Sequence, residues 1–450
     1  MSKHIYYVSD YAKLDSDVII GGGSDDTKAI QNLLNKAKTE GRVKIIMDGP
    51  ALVTGLEIYS NTTIECLDSS CGFFLADGSN CAIFRNANAN FDKERKDKNI
   101  SFLGGTYNHN AKGQEHHVPL KSNEKEIYIS EVFEGNKWVM TFEFYGVENV
   151  SIKDVTVYNQ RTFCLLMANF KFVNIENVNV IITEYMYANN QDGLHFWGPG
   201  EFLNLKNITG TAGDDFIALA PDEHDFKSSI TDVVIDGITL NNSDQGIRLL
   251  SRGEGALDRV LIKNITGTFR GFGFIINPWF DGIGGNFKNI IIDTVALHCT
   301  SHNYDYMKPF IFKLGGNIEN IVLKNIHYRG EVSHNILQVG GGYMRDSESS
   351  STMPSNIDNV ILENVYIYDD KNNTDYIDIK NSVNNFVMKN VQIARKNLGG
   401  TLININKDAI VKHLGLSDIT CQNLQNIFSE NVIKDSIPRV TEYNISTDKD

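Results

Sequence analysis

The sequence is poor in the residues that build metal, redox and disulfide sites. Its 450 residues contain six cysteines, and no two of them form a Cys-x-x-Cys pair. Metal and redox motifs are therefore disfavoured, and we expect neither a metal nor a cofactor. Cys66 and Cys71 are spaced for a local disulfide, but buried free thiols are the simpler interpretation.

Long apolar runs are also missing from the sequence. No segment approaches the roughly 20 apolar residues of a membrane span, which disfavours a membrane partner. The polar start, MSKHIYYVSDYAKL, lacks the apolar core of a signal peptide. We expect a protein that acts in the cytoplasm, that is released without such a signal, or that has lost a leader segment.

Positive charge is scarce relative to negative charge. Lys and Arg number 42 against 56 Asp and Glu, which leaves a formal net charge of −14. Nucleic-acid affinity depends largely on Lys and Arg neutralising phosphates, so a nucleic-acid partner is disfavoured. A polyanionic substrate would need a locally basic groove.

The sequence is instead rich in one repeated pattern. Short units alternate apolar and polar residues around a small polar residue, which recurs at intervals of about 23 to 39 positions, within the range of solenoid repeats. The units are NVSIKDVTV from Asn149, FVNIENVNV from Phe172, FLNLKNITG from Phe202, DVVIDGITL from Asp232, RVLIKNITG from Arg259, NIIIDTVAL from Asn289, NIVLKNIHY from Asn320, NVILENVYI from Asn359 and NFVMKNVQI from Asn385. The small polar residues are Asp154, Asn177, Asn207, Gly237, Asn264, Thr294, Asn325, Asn364 and Asn390.

This pattern predicts an all-β fold. Alternation with a period of two is typical of strands. A turn-prone Asn or Asp between two short strands indicates a sharp corner at which side-chain amides stack. Propeller blades need about 40 residues each, so the shorter and variable intervals favour a parallel β-helix. We predict a single domain over residues 1–450, with regular coils over about 145–425.

A β-helix needs its ends covered, because each coil is stabilised by its neighbours. The segment 24–41, SDDTKAIQNLLNKAKTEG, predicts an amphipathic helix that provides this cover. Ser24 or Asp25 would be its N-cap and Gly41 would end it. Strands are predicted to follow at Val43–Met47 and near Thr62–Cys66.

A polar segment of about 108–136 predicts a loop insertion, which in a solenoid tends to wall a groove. It contains His109 and the pair His116 and His117. Because no carboxylate lies at ligand spacing, a solvated loop is favoured over a metal site.

Three carboxylates lie on two neighbouring repeats, in the segment NNQDGLHFWGPGEFLNLKNITGTAGDDFIAL. They are Asp192, Asp214 and Asp215. Strands of adjacent coils lie roughly 4.8 Å apart, so carboxylates one repeat apart are expected side by side. Crowding of like charges raises the pKa of at least one of them, which suits a general acid. Capping of the backbone at a turn is the structural alternative.

These residues resemble the polygalacturonase-type enzymes of glycoside hydrolase family 28, over about residues 25–277. The matching pieces are SDDTKAIQNLL, NQRTFCLLMANFKFVNIENVNV, NQDG and AGDDFIAL. The resemblance implies a right-handed parallel β-helix of the pectin-lyase type and an inverting hydrolase of a poly- or oligosaccharide. It also implies that Asp214 is the general acid, whereas Asp192 and Asp215 hold and activate water.

The sequence departs from this family at the positions that bind the substrate. The family's Gly-His-Gly falls on DQGIRLLS, so Gln245 stands at the His position. Its Arg-Ile-Lys falls on GFGFIINPW, where Ile275 and Asn277 stand at the basic positions and Arg248 is the one nearby cation. A carboxylated sugar without a cationic partner would lose its strongest contacts, so strict polygalacturonate hydrolysis is disfavoured.

Other residues complete the predicted substrate site. Aromatic faces pack against sugar rings and His bonds hydroxyls, which makes His195, Trp197 and Trp279 candidates. Core packing is the alternative for each Trp. The predicted substrate-binding set is His195, Trp197, Gln245, Arg248, Asn277 and Trp279. The charged loop PDEHDFKSS, from Pro221, is either solvated or a groove wall that donates a further carboxylate.

Two other functions stay open. A polysaccharide lyase or epimerase on the same fold would need a uronate and a charge-neutralising cation. A non-catalytic glycan-binding protein of the phage-tailspike type would use the β-helix as a rod and would be a homotrimer rather than a monomer. Carbohydrate is the expected partner in every case.

Overall fold

The computed structural model describes residues 4–89, 94–120, 135–184, 189–223, 225, 227–251, 253–278, 284–300, 309–330, 335–341, 355–369, 375–430, 432 and 434–448. The fold is the predicted right-handed parallel β-helix. The chain divides into two compact units. The first comprises Met1–Ala218 and Glu223–Asp225, and the second comprises Leu219–Asp222 and residues 226–450. Folding as one domain stays a prediction.

The predicted N-terminal cover is confirmed, with a different start. The helices are α1 (Thr27–Asn35) and α2 (Ala37–Glu40), and Gly41, at φ 81°, ends the second. The N-cap is Asp26 rather than Ser24 or Asp25. Asp25 instead accepts a hydrogen bond from the Thr27 amide at 2.9 Å, in a turn that precedes the helix. Asp26 cannot cap with its side chain, because its carboxylate binds the Lys13 and Leu14 amides.

The strands of the first unit stack in parallel. They are β1 (His4–Tyr7), β2 (Val43–Met47), β3 (Pro50–Val53), β4 (Leu56–Ile58), β5 (Thr62–Cys66), β6 (Gly72–Leu75), β7 (Phe84–Asn86), β8 (Asp97–Leu103), β9 (Thr106–Asn108), β10 (His117–Pro119), β11 (Asn136–Trp138), β12 (Phe142–Lys153), β13 (Thr156–Tyr158), β14 (Leu165–Ile181), β15 (Leu194–Gly210) and β16 (Asp215–Ala220), which begins in this unit. Only β10 and β11 pair antiparallel among those whose register is described. The predicted strands at 43–47 and 62–66 are confirmed as β2 and β5.

The helix α1 covers the open end of this stack by contacting β2, β3 and β4. Its buried face carries Ile30, Leu33 and Leu34. The Gln31 side chain bonds both the amide and the carbonyl of Glu57, at 2.8 and 3.1 Å. These bonds satisfy a strand edge that would otherwise be open to pairing.

The core of each coil follows from the alternation in the repeated units. In the first unit Ile175 of β14 lies in register with Leu205 of β15, and both are fully buried. Burying one such side chain stabilises the fold by about 1.5–3 kcal/mol. Stacking the same inward position in successive coils therefore builds the apolar core of this unit.

The predicted amide corners are confirmed. Asn177 and Asn207 adopt left-handed backbone, at φ 55° and 53°, which Asn tolerates better than most residues. Asn177 Nδ2 donates to Asp154 Oδ1 at 2.7 Å, and Asn207 Nδ2 donates to Asn177 Oδ1 at 3.1 Å. In these units the small polar residue is thus a ladder rung as well as a corner.

A second corner, at the first residue of several units, was not predicted. Phe172 and Phe202 adopt left-handed backbone there, at φ 56° and 58°. Their exposed rings stack with centroids 5.1 Å apart, beside the Lys171 ammonium. Nothing in the residue type signals this conformation, because Phe disfavours it.

The second unit repeats the same construction. Its strands are β17 (Ile230–Leu249), β18 (Leu257–Ile276), β19 (Phe287–Cys299), β20 (Phe310–Leu314), β21 (Asn317–Gly330), β22 (Asn335–Val339), β23 (Asn356–Asp369), β24 (Asp375–Ile379), β25 (Val383–Ile405), β26 (Val411–Phe428) and β27 (Val440–Asp448). The ladder continues here, since Asn390 Nδ2 donates to Asn364 Oδ1 and Asn364 Nδ2 to Asn325 Oδ1, each at 2.9 Å. Short 3₁₀ turns occur in the first unit at Val8–Asp10 and Ala111–Gly113, and in the second unit at Lys434–Ser436.

The cysteines are free thiols, as predicted. Cys66 and Cys71 are both buried and do not form a disulfide. Burial raises the pKa of the Cys66 thiol to about 12, which leaves it uncharged and unreactive at neutral pH. In the described part of the chain, neither helix has the length and apolar composition needed to cross a bilayer.

Candidate active site

The three carboxylates of the acid cluster lie where strands of the first unit begin. Asp192 is in the turn before β15, Asp214 directly precedes β16, and Asp215 is its first residue. The two turns are hydrogen-bonded to each other, because the Gly193 amide donates to the Asp215 carbonyl at 2.9 Å. A Cβ on Gly193 would lie 2.2 Å from the Phe216 carbonyl oxygen, so only glycine permits this close approach.

Asp192 belongs to a chain of three titratable side chains, of which Asp192 and His195 are buried. Both ring nitrogens of His195 bond carboxylates, Nδ1 donating to Asp192 Oδ2 and Nε2 to Glu223 Oε2, each at 2.8 Å. Asp192 and His195 are 3% and 5% exposed. Trp197 Nε1 donates to the same oxygen of Glu223 at 2.7 Å. Charge-assisted bonds of this kind fix the position of each member.

Burial and neighbouring charges both shift the pKa values of Asp192 and His195. Burial, together with the negative charges of Asp214 and Glu223, raises the pKa of Asp192 to about 7, although the hydrogen bond from His195 opposes the shift. Burial alone would lower the pKa of His195, but the Glu223 charge and the bond to Asp192 raise it to about 10. At neutral pH, His195 is therefore a cation and Asp192 is close to its midpoint.

The two carboxylate oxygens of Asp192 differ in their hydrogen bonding. Among the described residues, nothing donates a hydrogen bond to the buried Asp192 Oδ1. A buried carboxylate oxygen normally has a partner. This oxygen is therefore placed to accept a bond from a molecule that enters the site, such as water.

Asp214 and Asp215 differ from Asp192 in exposure. Both are partly exposed, whereas Asp192 is buried. Asp214 Oδ2 accepts a hydrogen bond from the Asn190 amide at 3.0 Å, so the turn that carries Asp192 also orients Asp214. The negative charge of Asp214 contributes to raising the pKa of Asp192.

Two aromatic residues that the sequence did not single out support His195. The Phe163 ring stacks on the His195 ring, with centroids 4.5 Å apart and planes 13° from parallel. Trp138, at the end of β11, packs against Phe163 at 4.8 Å. Trp197 is 1% exposed. Its indole N–H bonds Glu223, so Trp197 positions that carboxylate.

The described flanks of the 108–136 insertion pack against the acid-bearing turns. His116 Nε2 donates to the Asn189 carbonyl at 2.9 Å, and Arg161 Nε donates to the Gln114 carbonyl at 3.0 Å. His109 is fully buried rather than solvated, and burial lowers its pKa to about 4. Residues 121–134 lie outside the described part. That the insertion walls a groove stays a prediction.

The charged loop from Pro221 contributes two carboxylates with different partners. Glu223 bonds His195 and Trp197. It is a further carboxylate at the site, of the kind that the position of this loop suggested. Asp222, in the second unit, is fully buried and accepts a hydrogen bond from the Gly253 amide at 2.6 Å. Asp222 is therefore a structural residue. His224 lies outside the described residues.

The other predicted substrate residues belong to the second unit. Gln245, Arg248 and Asn277 are 7%, 2% and 0% exposed, and Trp279 lies outside the described residues. Ile275 lies in register with Arg248 on one side and with Lys313 on the other. Lys313 is 1% exposed and is a second cation of this column, which the sequence analysis missed because it lies one coil further along.

No group of three or more His, Cys, Asp or Glu side chains in the described ranges is arranged to hold a metal ion. The first unit instead presents carboxylates in different protonation environments beside a buried cation. Such an arrangement can transfer protons to and from a bound molecule.

The fold class defined by these features is that of right-handed parallel β-helix proteins, and solved structures of that class match the chain. No family model and no curated protein matches the sequence. The A-module of mannuronan C-5 epimerase AlgE4 of Azotobacter vinelandii has a TM-score of 0.53 at 13% identity, covering 98% of this chain and 100% of that one.

Two further structures of the class have other described roles. A hyperthermoactive exopolygalacturonase of Thermotoga maritima has a TM-score of 0.52 at 12% identity, covering 99% of this chain and 92% of that one. A tailspike protein of E. coli bacteriophage HK620, in complex with a pentasaccharide, has a TM-score of 0.57 at 10% identity, covering 94% of this chain and 75% of that one. Identities this low establish the shared fold alone.

Proposed function

We propose that the chain is a glycoside hydrolase that cleaves a poly- or oligosaccharide with inversion, as a divergent relative of glycoside hydrolase family 28. The observation that carries the proposal is the buried Asp192, tied to His195 through one oxygen and left with its other oxygen available, next to Asp214 on the adjacent turn. The motif resemblance of both turns to that family supports the same reading. Neighbours with this fold include enzymes and binding proteins of carbohydrates.

The proposed roles follow from exposure and charge. Asp214, which is partly exposed, donates a proton to the departing glycosidic oxygen. Asp192 and Asp215 hold a water and accept its proton as the water oxygen bonds to the anomeric carbon from the opposite face of the ring. The bond to the departing oxygen breaks as the new one forms, so the product has the inverted configuration.

His195, Glu223 and Trp197 are positioning residues in this proposal. The imidazolium of His195 holds Asp192 Oδ2, so that Oδ1 is the oxygen presented to water. Glu223 keeps His195 charged, and the Trp197 indole holds Glu223. This ordering limits the loss of rotamer freedom when the substrate binds.

The substrate is proposed to be a carbohydrate other than strict polygalacturonate. Ile275 and Asn277 stand where the related family has its two basic residues. Arg248 and Lys313 lie in register on either side of Ile275 and are both buried. Polygalacturonate belongs among the glycans to be tested.

A glycan-panel screen with product analysis tests the proposed function. Neutral and acidic polysaccharides are incubated with the chain, and the release of reducing ends is measured beside the ultraviolet absorbance of unsaturated products. We expect new reducing ends without that absorbance. An unsaturated product would instead identify a lyase, and binding of a glycan without turnover would identify a tailspike-like binding protein.

A further inference from the structure

The antiparallel pair of β10 and β11 carries two ring side chains that the proposed catalytic roles do not use. His117 of β10 lies directly opposite Trp138 of β11. Side chains of residues that face each other across two strands lie on the same side of the pair. His117 is exposed and Trp138 is partly exposed. An imidazole and an indole therefore share one accessible face in the first unit.

The opposite face of β11 is fixed to β12. Successive residues of a strand point to opposite faces, and Lys137, which precedes Trp138, is 7% exposed. The Lys137 ammonium lies 3.6 Å from the Glu143 carboxylate of β12, which is 2% exposed. Breaking a buried ion pair leaves an uncompensated charge. The pair therefore keeps β11 in the orientation that presents Trp138.

Trp138 lies two turns away from Asp192 along the first unit. The Thr141 amide, three residues after Trp138, donates to the Phe163 carbonyl at 3.0 Å. The Cys164 amide on that next turn donates to the Asp192 carbonyl at 3.0 Å. Each step between hydrogen-bonded strands is roughly 4.8 Å. The indole is therefore separated from the acid-bearing turn by about the length of two linked sugar rings.

His117 is oriented to accept a hydrogen bond. Its Nδ1 lies 3.2 Å from His116 Nδ1. His116 donates to the Asn189 carbonyl through Nε2, so in the neutral ring its Nδ1 accepts and His117 Nδ1 donates. His117 Nε2 is then an acceptor, which suits a sugar hydroxyl. The bond to Asn189 also ties this pair of strands to the turn that carries Asp192.

From these observations, we propose that Trp138 and His117 form a subsite that binds one pyranose ring of the substrate, about two rings from the cleaved bond. The sugar packs its C–H groups against the indole, and one hydroxyl donates to His117 Nε2. The subsite has no role in bond cleavage. Its distance from the cleaved bond rests on the proposed hydrolysis, whereas binding of the ring does not.

The dependence of activity on substrate length tests the subsite. The native chain and Trp138→Ala are compared on oligosaccharides of increasing length, prepared from the polysaccharide that the glycan panel selects. Trp138→Ala should lower kcat/KM about tenfold on substrates long enough to reach the indole and leave shorter ones nearly unchanged, because a remote contact assists only substrates that make it. Trp138→Phe keeps an aromatic face and should restore most of the loss.

Binding without turnover is measured with the full chain carrying Asp214→Asn, on an array of neutral and acidic oligosaccharides. Adding Trp138→Ala should weaken binding of the longer oligosaccharides about tenfold, and adding His117→Ala about threefold or more, because one hydrogen bond is lost. Tyr7→Ala is the matched control, since it removes an aromatic ring that is 49% exposed on β1. It should bind as the parent does, and unchanged thermal unfolding midpoints establish that each variant is folded.

The outcomes separate this subsite from the proposed hydrolysis. An equal loss on short and long substrates would show that the indole only supports Phe163, and would overturn the subsite. Unchanged binding in Trp138→Ala, or no binding of any oligosaccharide on the array, would also overturn it. Binding that depends on Trp138, with no glycan cleaved by the native chain, would instead refute the hydrolysis and leave the subsite in place.

Discussion

Replacing Asp214 with Asn is expected to lower kcat on the natural glycan by about 10²–10⁴-fold, the usual contribution of a general acid. Asn has nearly the same shape but no proton to give to the departing oxygen. Its side-chain oxygen can still accept the hydrogen bond from the Asn190 amide, which Asp214 Oδ2 accepts in the native chain at 3.0 Å. The fold and the affinity for glycan should therefore be kept.

Activity on glycosides with different leaving groups distinguishes loss of the general acid from general damage to the site. A glycoside with a strongly acidic leaving group needs no protonation, so Asp214→Asn should cleave it at a rate close to that of the native chain. Asp154→Asn is the matched control, because it removes an exposed carboxylate from a ladder position that other coils fill with Asn. Equal losses on both substrates, or any loss in the control, would contradict the role of Asp214.

Replacing Asp192 with Asn is expected to lower kcat by a similar factor of about 10²–10⁴, but on both kinds of substrate. A general base is needed to activate water whatever the leaving group is. In Asp192→Ala, azide should restore part of the activity, because it attacks without giving up a proton and fits the space of the lost carboxylate. Asp192 would be excluded as the base if azide restored no activity to Asp192→Ala and if Asp192→Asn lost activity only on the natural glycan.

The pH profile of the native chain follows from the same carboxylate. Asp192 must be ionised to accept a proton, and its pKa is about 7. We therefore expect kcat/KM to rise as the pH rises through about 7. His195→Gln removes a hydrogen bond and a positive charge that lower the pKa of Asp192, so this rise should move to higher pH. A profile that does not move would show that His195 does not act through Asp192.

Much of the fold could be predicted from the sequence because the fold is periodic. Alternation around each small polar residue indicated the strands, and the residue type itself indicated the corner, as at Asn177 and Asn207. The covering helix followed from its apolar spacing, although its N-cap did not. Asp25 and Asp26 are equally good caps by type, and the Asp26 carboxylate makes no capping bond because it binds the Lys13 and Leu14 amides of a preceding segment.

The candidate site was less predictable because its members meet through contacts between loops. Asp192 and Asp214 recur at one place on adjacent repeats, which made them visible in the sequence. Glu223 and Phe163 reach His195 from two other turns. The charge of the Glu223 loop hinted at a donated carboxylate, but no spacing rule selects Glu223 over Asp222. Phe163 carries no signal at all, because an apolar residue beside a strand ordinarily enters the core.

The most direct test of the central claim is the anomeric configuration of the first product, followed by ¹H NMR on the best substrate from the glycan panel. The account predicts that the product first appears as the anomer opposite to that of the cleaved bond, and that Asp214→Asn forms almost none of it. A product that first appears with the configuration of the cleaved bond would contradict inversion. Full turnover by Asp214→Asn would contradict the assignment of the acid.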